Sequence, residues 1–123
     1  MTTTTAATHA IDDPTDVTEF PKGRIDTVRI GEVVFSRTTF QPGWKWSTSL
    51  KDIAGTDSCE YPHTAFVQSG TLHVVMDDGT ELDARSGDVL VLAPGHDAWV
   101  VGDEAVVMYD FGGDDEEYGK SPS

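Results

Sequence analysis

From Ser69-Gly70 onward the chain is punctuated by glycine turns at short, even intervals, Ser69-Gly70, Asp78-Gly79, Ser86-Gly87 and Pro94-Gly95, with Pro42-Gly43 as a further turn upstream. Glycine accepts positive φ without a steric penalty, and Asp78-Gly79 is the pair that a type I′ hairpin turn asks for. The stretches between these turns, at 64–68, 71–76, 81–84, 88–92 and 98–101, are too short for a helix of any length and are rich in Val, Leu and aromatic residues. Upstream, 24–30 and 32–40 have the same texture, broken at Gly31, and 105–111 closes the series. Short strands at roughly eight- to twelve-residue spacing predict an all-β sandwich or barrel.

Alternation along a strand assigns faces. Ala65, Val67, Leu72, Val74, Met76, Leu90, Leu92, Ala98 and Val100 share the inward parity and predict an apolar lining, whereas His73 falls on the opposite parity and is expected to serve the surface or the structure. Trp44 and Trp46 share one face of an extended segment and are expected to pack, with a stacking platform for a ligand as the alternative.

The 123 residues suit one domain. Residues 1–20, rich in Thr, Ala and Asp and without periodic apolar spacing, read as a loose arm; 21–111 form the barrel; 112–123, with the acidic run 114–117, read as a disordered tail. With 22 acidic against 8 basic residues the net charge is −14, which disfavours nucleic acid and anionic membranes as partners. The one cysteine, Cys59, excludes an internal disulfide, and the first ten residues have neither the basic region nor the apolar core of a signal peptide. A soluble, cytoplasmic protein is expected. The segment Arg24 to Phe40 has the apolar character for pairing between subunits, so a homodimer is expected as well.

The string His63-Thr-Ala-Phe-Val-Gln-Ser-Gly70-Thr-Leu-His-Val resembles the first half-motif of the cupin superfamily, and Gly87-Asp-Val-Leu-Val-Leu-Ala-Pro-Gly95 resembles the second. The resemblance covers about residues 30–111 and implies a single-domain double-stranded β-helix, the jelly-roll barrel. It also implies a small molecule, or a metal such as iron or manganese, held inside the barrel. The metal pattern departs from the family's: His63 stands where an acid is common, the His-x-His pair falls on Asp57 and Cys59, or on Thr56 and Ser58 with a spacer one longer, and the second-motif His falls on Ala98 with His96 two residues early.

The residues themselves leave two outcomes open. Thiolate, imidazole and carboxylate from Cys59, His63 and Asp57, with His96 as a fourth, are ligand types that a divalent zinc or iron ion accepts. The alternative is a metal-free pocket that binds a small molecule among His63, Cys59, Trp46, Met76, Ala98 and Val67. Whether the site catalyses, as a metal-dependent dioxygenase, isomerase or lyase, or the barrel acts as a sensory or interaction module, is not written in these residues.

Overall fold

The computed structural model describes residues 6–49 and 63–112, so Asp57, Cys59 and the acidic run 114–117 lie outside the described residues. Within them the chain forms β1 (Asp16–Phe20), β2 (Gly23–Ile30), β3 (Val33–Phe40), a short helix α1 (Trp46–Ser49), β4 (His63–Ser69), β5 (Thr71–Met76), β6 (Glu81–Arg85), β7 (Val89–Leu92), β8 (His96–Val101) and β9 (Val106–Gly112). All neighbouring strands are antiparallel, in a six-stranded sheet of order β1-β2-β3-β9-β4-β7 and a three-stranded sheet of order β6-β5-β8. This is the all-β, two-layer architecture that the turn spacing predicts.

The pleat decides what each layer buries. On β4, His63, Ala65 and Val67 are buried while Thr64 and Phe66 are exposed; on β7, Leu90 and Leu92 are buried between exposed Val89 and Val91. Leu72, Val74, Ala98 and Val100 complete the inward set from the smaller sheet. Met76, at the end of β5, is only partly buried against the core. His73 takes the opposite face, as its parity predicts. There it donates to Asp83 at 2.6 Å and Glu81 at 2.8 Å and packs on Trp99, and the bonds to Asp83 first and Glu81 second raise its pKa.

Trp44 to Ser47 extends the smaller sheet beyond β8. Val100 N–H donates to the Trp44 carbonyl at 3.0 Å, Lys45 bridges Trp99, and Ser47 N–H donates to Asp97 Oδ1 at 3.1 Å. These bonds carry Trp44 and Trp46 into the core, where each is 1% exposed, and Trp44 stacks on Phe40 with centroids 3.7 Å apart.

Two expectations are corrected. Residues 16–20 are not part of a loose arm: they form β1, paired from Asp16↔Thr27 to Phe20↔Gly23. Backbone pairing needs no apolar periodicity, and the strand is held by one buried side chain, Phe20 against Phe40, and by the Arg29–Asp16 and Arg24–Glu19 pairs. Nor does the segment Arg24 to Phe40 offer an edge for pairing between subunits, because β2 lies between β1 and β3, and β3 between β2 and β9, so the hydrogen-bonding groups of both strands are used within the sheet.

Asp26 on β2 shows how the outer face of the larger sheet is secured on that side. Its carboxylate is 4% exposed and accepts from Arg24 Nε at 2.7 Å and Arg37 NH2 at 3.0 Å, while Arg37 also reaches Asp12 of the arm at 2.8 Å. Burial pushes the carboxyl pKa up, but the two guanidinium groups outweigh it and hold the pKa below the usual value.

The turn between β4 and β5 has least room for change. Gly70 adopts φ +78°, and a Cβ there would lie 2.6 Å from the Ala105 carbonyl oxygen. Gly70→Ala therefore meets both a disfavoured backbone and a clash with main chain that cannot swing aside. A loss of about 2 kcal/mol or more is expected in urea unfolding, whereas Gly79→Ala, with nothing within 4 Å, meets the φ penalty alone and costs less.

Candidate functional site

Both sheets contribute to one small cavity. Phe40, Leu72, Leu92, Ala98 and Met108 form its apolar wall, and Trp44, Trp46, His63 and His96 supply its polar atoms. The free space is about 10 Å³, close to the room that one water molecule needs. A larger open cleft of about 510 Å³ lies on the outer face by the arm, but the two arginines in its wall are already engaged by Asp26 and Asp12.

The two imidazoles face each other with ring centroids 5.2 Å apart and are 4% and 2% exposed for His63 and His96. Each is oriented through Nδ1. His63 Nδ1–H donates to the Asp110 carboxylate at 3.0 Å, and His96 Nδ1–H donates to the Ala93 carbonyl at 3.0 Å. A carbonyl or carboxylate only accepts, so these bonds place a proton on Nδ1 of each ring. Burial, reinforced by the neighbouring His63, pushes the His96 pKa down to about 4, so His96 is neutral near pH 7.

The indole nitrogens of Trp44 and Trp46 are buried and have no hydrogen-bond partner among the described residues. Buried N–H donors are nearly always satisfied, and leaving one without an acceptor costs about 1–3 kcal/mol. Two such donors on residues that line one cavity constitute a standing demand for an acceptor.

Of the residues singled out from the sequence, His63, His96, Trp46 and Ala98 meet at this cavity. Val67 is buried in the core, and neither it nor Met76 lines the cavity, because the inward parity of a strand selects a face and not a depth along it. Asp57 and Cys59 lie outside the described residues. His96 caps the turn at Pro94-Gly95 through the Ala93 carbonyl while its ring faces the cavity, and Asp97 ties α1 to β8. Asp110, the partner of His63, is absent from the residues singled out above. A signal for it existed: it shares the inward parity of Val106 and Met108 on an otherwise apolar strand.

Among the described residues no three His, Cys, Asp or Glu side chains converge on a point that would hold a metal ion. Asp110 is turned to His63 Nδ1, so its carboxylate orients that imidazole.

No family model and no curated protein sequence matches this chain. Solved structures do. Ectoine synthase from P. lautus is similar over 86% of this chain and 78% of its own, with a TM-score of 0.62 at 8% identity. A Rhizobium leguminosarum protein of unknown function is similar over 88% and 97%, with a TM-score of 0.60 at 16% identity. The cupin domain of Schizosaccharomyces pombe Cnp3 is similar over 76% and 61%, with a TM-score of 0.52 at 11% identity. The fold is thus cupin-like, a jelly roll of two antiparallel sheets; at these identities the likeness concerns fold alone. No helix among the described residues is long and apolar enough to cross a membrane.

The depressed His96 pKa gives a signed prediction. The unfolded chain protonates this imidazole near 6.5 and the folded chain only near 4, so its contribution is complete above about pH 6.5 and is lost as pH falls toward 4. Urea unfolding in chelated buffer is expected to show stability falling by on the order of 3 kcal/mol across that window. His96→Gln is expected to flatten the slope.

Proposed function

We propose that the barrel binds a small molecule that presents a hydrogen-bond acceptor to the buried indole N–H groups of Trp44 and Trp46, with His63 and His96 alongside. The observation that carries this reading is the pair of buried indole donors that find no acceptor among the described residues, at a cavity where both imidazoles are oriented through Nδ1. An oxygen of a carboxylate, amide or alcohol supplies what the indoles lack. The His96 Nε2 lone pair, kept neutral by burial, accepts a proton-bearing group on the same ligand. Phe40, Leu72 and Met108 form the apolar wall that faces the remaining carbon, and a free space of about 10 Å³ requires the ligand to displace wall side chains as it enters.

Tryptophan fluorescence and thermal melts with a panel of small carboxylates, amides and alcohols test this. One class is expected to raise the melting temperature saturably, by the equivalent of about 2.7 kcal/mol at a hundred times its dissociation constant. Trp46→Phe, which keeps a ring and removes the N–H, is expected to weaken that ligand by roughly five- to tenfold. Indifference to every class would count against the reading.

A second reading, a barrel that holds zinc or iron at His63 and His96, is favoured by the Nδ1 bonds to a carboxylate and a backbone carbonyl, the support that ligating histidines usually have. Asp57 and Cys59 are the remaining donors of that set. Elemental analysis of protein purified without a nickel column is expected to give one divalent ion per chain under this reading. A metal content near zero that stays near zero after equilibrium dialysis against zinc or ferrous iron would remove it.

A further inference from the structure

The outer face of the smaller sheet carries a charged cluster apart from the cavity. His73 on β5 stands between Asp83 of β6 and Trp99 of β8. Its Nδ1 lies 2.6 Å from Asp83 Oδ1 and its Nε2 lies 2.8 Å from Glu81 Oε1. An ionised carboxylate only accepts, so both ring nitrogens donate, and a ring with two N–H groups is an imidazolium. The charged groups around the ring come from both neighbouring strands. From β6 these are Glu81 and Asp83, and Asp83 also meets Arg85 at 3.4 Å. On the β8 side the ring packs on Trp99 with centroids 4.8 Å apart, Lys45 Nζ lies 4.8 Å from the Trp99 ring centroid, and Asp97 is engaged by the Ser47 and Ala98 N–H groups. The bonds to Asp83 and then Glu81 outweigh the cost of burial and raise the His73 pKa above its ordinary value.

Strand β6 has particular need of such a clamp. Among the described residues β5 is its one strand neighbour, and of its side chains Ala84 alone is buried. An edge strand that buries a single methyl group gains little from the core, so its attachment rests on the ladder to β5 and on His73. Ala84 stands opposite Leu72, and Leu72 lines the cavity.

We propose that His73 is a proton-operated latch: as an imidazolium it ties Glu81 and Asp83 of β6 to β5, and on losing one proton it loosens the strand that flanks the Leu72 wall of the cavity. The neutral ring keeps one N–H, so one carboxylate then faces a nitrogen lone pair, and two acids share a strand face without a common cation. The folded chain holds the proton more tightly than the unfolded chain does. The latch is therefore complete below the unfolded value near 6.5 and is lost as pH rises through the higher folded value, opposite in sign to the effect of His96.

Nitrogen NMR of the full chain is expected to show both His73 ring nitrogens protonated at pH 6, with a titration midpoint above 6.5. Hydrogen-exchange protection at residues 81–85, corrected for the intrinsic rate, is expected to fall roughly three- to tenfold as pH rises through that midpoint, relative to residues 64–67 of β4. The Leu72 methyl signals are expected to broaden over the same window. His73→Gln is expected to lower protection at every pH without a step, and His73→Arg, a cation throughout, to keep it high without a step. A His73 midpoint at or below 6.5 overturns the proposal, as do pH-independent protection at 81–85, Leu72 methyl signals that stay sharp throughout, or the same step in both variants. The first three readings use the unaltered chain, so they decide the matter should a variant fail to fold.

Discussion

The buried pair His63–Asp110 is the interaction on which the arrangement of the core depends. The two residues lie on neighbouring strands, β4 and β9, in a core otherwise lined by Ala65, Val67, Val106 and Met108. A lone carboxylate there would carry a desolvation cost that nothing apolar offsets, and removing one partner of such a pair commonly costs about 3–5 kcal/mol. The 3.0 Å contact exists in one register only. A slip by one residue would turn Asp110 and every apolar neighbour on its strand to the opposite face. The polar pair thus acts as a register pin as well as an orienting group for the imidazole.

From that register the cavity follows. β4 brings His63 opposite Leu92, β8 brings His96 and Ala98 beside β5, and the bonds from β8 to residues 44–47 swing two tryptophans into the space between the sheets. The tryptophans fill volume as any core aromatic does, but an indole also carries a donor. Among the described residues neither donor finds an acceptor.

Outside, the chain handles its charge unevenly. Around Asp26, Arg24, Arg37 and Asp12 of the arm form a network of ion pairs on the outer face of the larger sheet, with the neighbouring Val17 46% exposed. Around β7 the same sheet shows valine and phenylalanine to water. The sheet is one continuous surface with two different finishes.

The strands from β2 to β9 and their turns were legible because each depends on local matters: a period of two, a glycine able to take positive φ, β-branched runs of a few residues. The inward parity of Ala65, Leu72, Leu90 and Ala98 was readable for the same reason. β1 was not, since its pairing with β2 rests on backbone and one phenylalanine, which leave no periodic trace in the Thr- and Asp-rich arm. Asp110 left a trace, an acid on an apolar parity, but its meaning required knowing that β9 lies beside β4, 36 residues from Val106 to Gly70 in the folded turn contact yet adjacent in space. The amino-acid order by itself determined where strands start, stop and face, because the pleat repeats every two residues. Only the tertiary structure decided which strands are neighbours and that two histidines and two buried tryptophans share one cavity, because strand order depends on contacts between residues far apart in the chain.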